Sequence, residues 1–226
     1  MEREEIVKEL SLTYNDLATY LQVKYGMSKY DYFHTPSCKS VNKKVSRTKE
    51  GLMCHHIDEN VGYNLSEPSC AIQQPYVYQK KERLVYCNIL EHLILHLKIC
   101  SMDKDLRVNI GATILANKIN TILLTDNTEN RWEFRCLERI KDNYYEYIDV
   151  LKAFLAFLST HLNDSVDSND RTRRTQIIRI YKHAFSKNDL DSINIIERVY
   201  TDLSYYTETE SIIMSRCFEK DYQEIK

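Results

Sequence analysis

Apolar residues recur at helical spacing over most of this chain, and the exceptions lie together. In residues 2–25, Ile6, Leu10, Leu12, Leu17, Tyr20, Leu21 and Val23 keep a mostly helical period, with Asn15 or Asp16 placed to cap a second short helix. Gly26 ends that run. Residues 27–50 are polar, tyrosine-rich and then basic, which predicts a loop or irregular β structure. Two short apolar segments follow, 52–57 between Gly51 and the acidic pair Asp58 and Glu59, and 83–87 with Val85 and Tyr86. Both have strand character, and a long loop through Gly62, Pro68 and Pro75 joins them. Asn88 is placed to cap a helix from Ile89 to about Cys100.

Beyond Met102 the pattern is almost unbroken. It predicts helices near 106–124, 129–161 with a break near Asp142 and Asn143, 171–186, 189–204, and a last short one near 209–223. Segment 163–170 has Val166 as its sole apolar anchor and reads as a linker between residues 1–162 and a C-terminal helical subdomain, 163–226. The predicted class is α+β and predominantly helical, with a small strand pair embedded in a helical scaffold.

Composition narrows the function classes. The 226 residues include only 4 Gly and 3 Pro, and six of these seven breakers fall between 26 and 75, which argues against an all-β fold with its many tight turns. Lys and Arg number 31 and Asp and Glu 33, a net charge of −2, so any nucleic-acid surface must be a local patch. No apolar run is long enough for a membrane span, and the charged start MEREEIVKEL lacks the core of a secretion signal. Seven cysteines without a C-x-x-C pair speak against a disulfide framework and a cysteine zinc ribbon, so a cytoplasmic protein is expected. Glycine-loop nucleotide motifs, H-E-x-x-H and G-x-S-x-G are all missing from the sequence.

The histidines carry the chemistry. Four of seven form two clusters, His55 with His56, and His92 with His96. Residues four apart on a helix share a face, so His92 and His96 can direct two imidazoles at one point, as a metal-chelating helix does. The same spacing also suits two interfacial histidines on an ordinary amphipathic helix. Order favours the metal: paired histidines on a strand, a long loop, a second strand, then a helix with histidines four apart.

That order, in GLMCHHIDE (51–59) and RLVYCNILEHLILH (83–96), resembles the HNH nucleases of the ββα-metal fold, and among them the colicin-type DNases. The resemblance covers residues 51–98, about a fifth of the chain. It implies phosphodiester hydrolysis with one divalent metal ion, His55, His92 and His96 as ligands, and His56 taking a proton from the attacking water. Asp58 or Glu59 could add an oxygen ligand. The family's Asn, a brace for the metal-site loop, aligns with Arg83, so Arg83 or Asn88 must supply that tie. Three imidazoles favour zinc, manganese, cobalt or nickel over magnesium, whereas the resemblance also admits magnesium.

Two basic segments could meet phosphates: Lys39, Lys43, Lys44, Arg47 and Lys49, directly before the first strand, and a helix with Arg171, Arg173 and Arg174. The second also reads as the solvated face of a bundle helix. Tyr30, Tyr32, Phe33, Tyr76 and Tyr78 lie near the motif, where they could touch sugar or base or simply pack. The expected function is a metal-dependent endonuclease for double-stranded DNA, of a sequence-specific, restriction type, with a homodimer as one way to cut both strands. Its rivals are a non-specific nuclease or toxin and a non-catalytic metal-containing DNA-binding protein.

Overall fold

A computed structural model describes residues 3–103, 110–125, 130–161, 217–221 and 223. The described residues form a predominantly helical α+β fold with one two-stranded antiparallel sheet, the class the sequence pattern predicts. Helices α1 (Arg3–Ser11) and α2 (Tyr14–Tyr25) come first, then an irregular stretch of short 3-10 turns. Strand β1 (Met53–His56), a one-turn helix α3 (Pro68–Ala71), strand β2 (Leu84–Cys87) and helix α4 (Ile89–Ser101) follow. Helices α5 (Ile110–Thr125), α6 (Arg131–Ile140) and α7 (Tyr144–His161) complete the named elements.

Local chemistry explains the boundaries. Thr13, rather than Asn15 or Asp16, caps α2: its Oγ1 accepts from the Asp16 N–H at 3.2 Å and donates to the Asp16 carboxylate at 2.9 Å. Asp16 therefore completes the cap from inside the first turn. Gly51, in the left-handed region at φ 69°, turns the chain into β1. A Cβ there would lie 2.4 Å from the Arg135 carbonyl oxygen, so β1 enters closely packed against α6. Asn88 caps α4 as the sequence predicts, accepting from the N–H groups of Leu90 and Glu91 while Glu91 accepts from the Asn88 N–H at 2.6 Å. The predicted break near Asp142 and Asn143 separates α6 from α7.

Helix α4 is the centre of the described residues. Every residue from Ile89 to Ser101 is buried except Ile99, as a helix that is apolar on all sides must be. The main apolar core gathers around it from α1, α2, α5, α6, α7 and the strands, and includes Leu17, Leu21, Val85, Leu93, Leu97, Ile119, Phe154 and Phe157. Residues 217–221 are helical and join this core, with the Phe218 ring edge-on to Phe154 at 5.3 Å between centroids. A smaller cluster of Phe33, Cys38 and Ala71, with Tyr32 and Tyr76 against it, supports the irregular stretch. Tyr32, Phe33 and Tyr76 are thus packing residues. Among the described residues, no helix is long and apolar enough to cross a membrane. The proposed linker 163–170 and the helices at 171–186 and 189–204 lie outside the described residues.

Candidate metal centre

The antiparallel pairing sets the first histidine in place. Met53 pairs with Cys87, Cys54 with Tyr86, His55 with Val85 and His56 with Leu84, so β1 ends where β2 begins and α4 leaves the far end of β2. His55 faces α4, where His92 and His96 stand one turn apart. The three rings lie 4.9–5.2 Å apart between centroids. One nitrogen from each can be chosen so that all three lie within 4.8 Å of one another, a group able to hold a metal ion. His55 is wholly buried, and His92 and His96 are 8% and 9% exposed.

Hydrogen bonds assign the His55 tautomer. The Tyr14 hydroxyl donates to the Ile57 carbonyl at 2.8 Å, which uses its one proton, so the His55 Nε2–H donates to the Tyr14 oxygen at 2.9 Å. The His55 Nδ1 lone pair then faces α4. His92 Nδ1 lies 3.4 Å from the Met53 sulfur, and His92 Nε2 lies on the side of His55. His55 Nδ1 and His92 Nε2 face each other across 3.2 Å, within hydrogen-bond distance. In the metal-free protein one ring can donate to the other there, and a bound cation would take the lone pairs of both. Each is also turned by a partner on its other nitrogen, the arrangement that orients metal-ligating imidazoles.

Electrostatics keep His55 and His92 neutral. Burial pushes the His55 imidazolium down from the usual 6.5 to about 3, against the pull of Glu59, and it pushes His92 well below its ordinary value, with His96 and His55 adding to the effect. Neutral imidazole is the form that binds metal. Burial likewise pushes the Tyr14 phenol well above its usual 10.0, so it stays a hydrogen-bond donor.

Glu59 completes the surroundings. Its Oε2 lies 3.6 Å from His55 Nδ1 and 3.4 Å from His96 Nε2, while its Oε1 lies 3.5 Å from His56 Nδ1. Burial alone would raise this acid, but His55, the His56 contact, His96 and His92 outweigh it and hold Glu59 well below the usual carboxylate range. His56 projects away from the triad toward Gln79 and Tyr32. The Gln79 amide donates to the Leu65 carbonyl at 3.1 Å, so its oxygen accepts the His56 Nε2–H at 3.0 Å, and the Tyr32 ring sits 4.4 Å from the imidazole. His56 has no exposed surface.

No family model, curated protein or solved structure matches this chain. The centre stands on its own geometry.

The supporting residues named from sequence fall into two jobs. Arg83 forms a two-pronged pair with Asp58, Nε to Oδ2 at 2.7 Å and Nη2 to Oδ1, and so ties the turn after β1 to the start of β2. Asn88 starts α4. Of the basic segment, Lys39, Lys43, Lys44 and Lys49 are exposed, with Lys44 over the Tyr30 ring at 5.3 Å. Arg47 is not a free phosphate contact: it pairs with Glu50, donates to the Tyr25 carbonyl and lies over the Tyr86 ring at 4.8 Å. Its cation serves the fold because the rigid guanidinium can meet all three partners at once. Arg171, Arg173 and Arg174 lie outside the described residues.

Sequence reasoning did not find Tyr14, Met53, Gln79 or Gly111. A Cβ on Gly111, at the start of α5, would lie 2.4 Å from Cε1 and 2.5 Å from Nδ1 of His96. The signal was present: Gly111 is the single breaker past residue 75, and an isolated glycine in a helical pattern marks a close approach. Tyr14 carried no comparable signal among 17 tyrosines.

Proposed function

We propose that the protein is a metal-dependent endonuclease of the HNH, ββα-metal type that hydrolyses phosphodiester bonds of double-stranded DNA, with restriction-type cutting as the expected mode. One observation supports this reading above the others. A histidine on the first strand of an antiparallel pair meets two histidines of the helix that follows the second strand, with His55 Nδ1 and His92 Nε2 turned inward. A divalent ion held there supplies positive charge where negative charge builds on a phosphodiester during hydrolysis.

The chain's own groups divide the remaining work. The His56 Nε2–H is committed to Gln79, so Nδ1 is the atom at which a proton from water is taken. Glu59, 3.5 Å from that nitrogen, would stabilise the imidazolium by its negative charge. Lys39, Lys43, Lys44 and Lys49 offer exposed cations for the phosphate backbone on the segment that leads into β1.

The burial of His56 favours a second reading, a non-catalytic metal-holding DNA-binding module. Incubation with plasmid and phage DNA, with magnesium, manganese or zinc and with chelator, separates them. Discrete fragments indicate a restriction-type enzyme, a smear a non-specific nuclease, and intact DNA with every ion the binding module. His56→Ala is expected to keep the metal and lose cleavage, whereas His92→Ala loses both; equal metal loss in the two would contradict the division of roles.

A further inference from the structure

Three histidine nitrogens lie within 4.8 Å of one another, and three separations among them and Glu59 are close to those that one ion would set. Donors about 2.0–2.1 Å from a tetrahedral ion lie about 3.3–3.4 Å from each other. His55 Nδ1 and His92 Nε2 are 3.2 Å apart, and Glu59 Oε2 is 3.6 Å from the first and 3.4 Å from His96 Nε2. We infer that Glu59 is a fourth ligand, so that the centre is a three-histidine, one-carboxylate site for a transition-metal dication and not for magnesium.

The position of Glu59 is built. It lies on the 3-10 turn Ile57–Asn60 that follows β1, one residue past Asp58, and the Asp58–Arg83 pair fixes that turn against β2. The other carboxylate oxygen lies 3.5 Å from His56 Nδ1. One oxygen is thereby turned toward the triad and one toward His56. The chemistry of the set selects the ion: three neutral imidazoles with one carboxylate suit zinc, cobalt or nickel, whereas magnesium requires mostly oxygen ligands in octahedral array and keeps its waters. Glu59 is also the donor that can yield to an incoming phosphate oxygen, since 18% of its side chain is exposed against 0% for His55 and 11% for His96. That last step rests on the nuclease reading; the coordination does not.

Cobalt(II) titration of the full-length protein, read by visible absorption, tests the assignment without any cleavage assay. The wild type is expected to bind one cobalt with the intense bands of a four-coordinate ion, and a large excess of magnesium should leave them unchanged. Glu59→Gln, with an unaltered far-ultraviolet circular dichroism spectrum, should bind cobalt at least about tenfold more weakly and with altered bands. Wild-type affinity and bands in Glu59→Gln would overturn the assignment. So would weak six-coordinate bands in the wild type or displacement of cobalt by magnesium, and these two wild-type readouts decide the matter even where the variant fails to fold. A protein that binds cobalt as described and cuts no DNA with any ion leaves the four-donor site standing and removes the nuclease reading alone.

Discussion

Asp221 accepts the backbone N–H of Tyr14 at 2.5 Å, and the hydroxyl at the other end of Tyr14 holds His55. The second Asp221 oxygen meets Lys98 Nζ at 3.2 Å, and Lys98 lies two residues beyond His96 on α4. One carboxylate near the end of the chain thus braces both arms of the metal centre. Lys98 and Asp221 are both fully buried, and the ammonium also donates to the carbonyls of Leu10 and Cys217.

Removing one partner of this pair leaves an uncompensated buried charge. Asp221→Ala should destabilise the fold by about 3–5 kcal/mol, while Lys98→Met combined with Asp221→Leu should regain most of that loss. Urea denaturation of the three variants measures the effect. A loss below about 1 kcal/mol in Asp221→Ala would mean that the pair is solvated in solution, as surface ion pairs are.

Tyr14→Phe deletes one hydroxyl that serves two buried partners, the His55 Nε2–H and the Ile57 carbonyl. Stability should fall by about 1–3 kcal/mol. Metal affinity should fall about 10–100-fold, because His55 loses the partner that fixes its tautomer. Chelator competition measures the second effect, and unchanged affinity would argue that Tyr14 serves only packing.

Gly111→Ala sets two effects against each other. Alanine improves the intrinsic helix propensity of α5 by about 1 kcal/mol. Its Cβ, however, would lie 2.4 Å from the His96 ring, which must move aside. The expected outcome is a much weakened metal affinity with a small change in melting temperature of the metal-free protein. Retained affinity would show that α5 shifts and leaves His96 in place.

Stability should depend on pH with two opposite slopes. Glu9 is fully buried, and burial together with Glu91 raises its acid from the usual 4.5 to about 8 against the pull of Lys24; Glu5 adds to the rise. A folded-state value above the unfolded one means that stability is fully present below about 4.5 and is lost as the pH rises through about 8. His55 acts in the other sense: its value is depressed to about 3, so its contribution is present above 6.5 and is lost as the pH falls toward 3. Urea midpoints of metal-free protein from acid to alkaline pH should trace both arms. Glu9→Gln is expected to flatten the alkaline one, and an unchanged alkaline arm would show that another group titrates there.

Much of the fold was legible in the chain because its signals are local. Asn88 before an apolar helix, the break near Asp142 and the two short strands each depend on residues within a few positions of one another, and each stands where the pattern places it. The cap of α2 is Thr13 and not Asn15 or Asp16, because all three have capping side chains and only the backbone angles choose among them. Arg47 read as a free cation because its partners, Tyr25 and Tyr86, lie 22 and 39 residues away, although Glu50 was close by.

By itself the sequence determined a helical scaffold with a strand pair, and placed His92 and His96 on one helix face through the 3.6-residue period. Only the tertiary structure decided that His55 turns toward them while His56 turns away, that Glu59 reaches both, and that Tyr14, Gly111 and Asp221 set their positions. The reason is physical. Periodicity is a property of neighbours along the chain, whereas a tautomer, a facing pair of ring nitrogens or a buried ion pair exists only when groups far apart in sequence are brought within about 3 Å of each other.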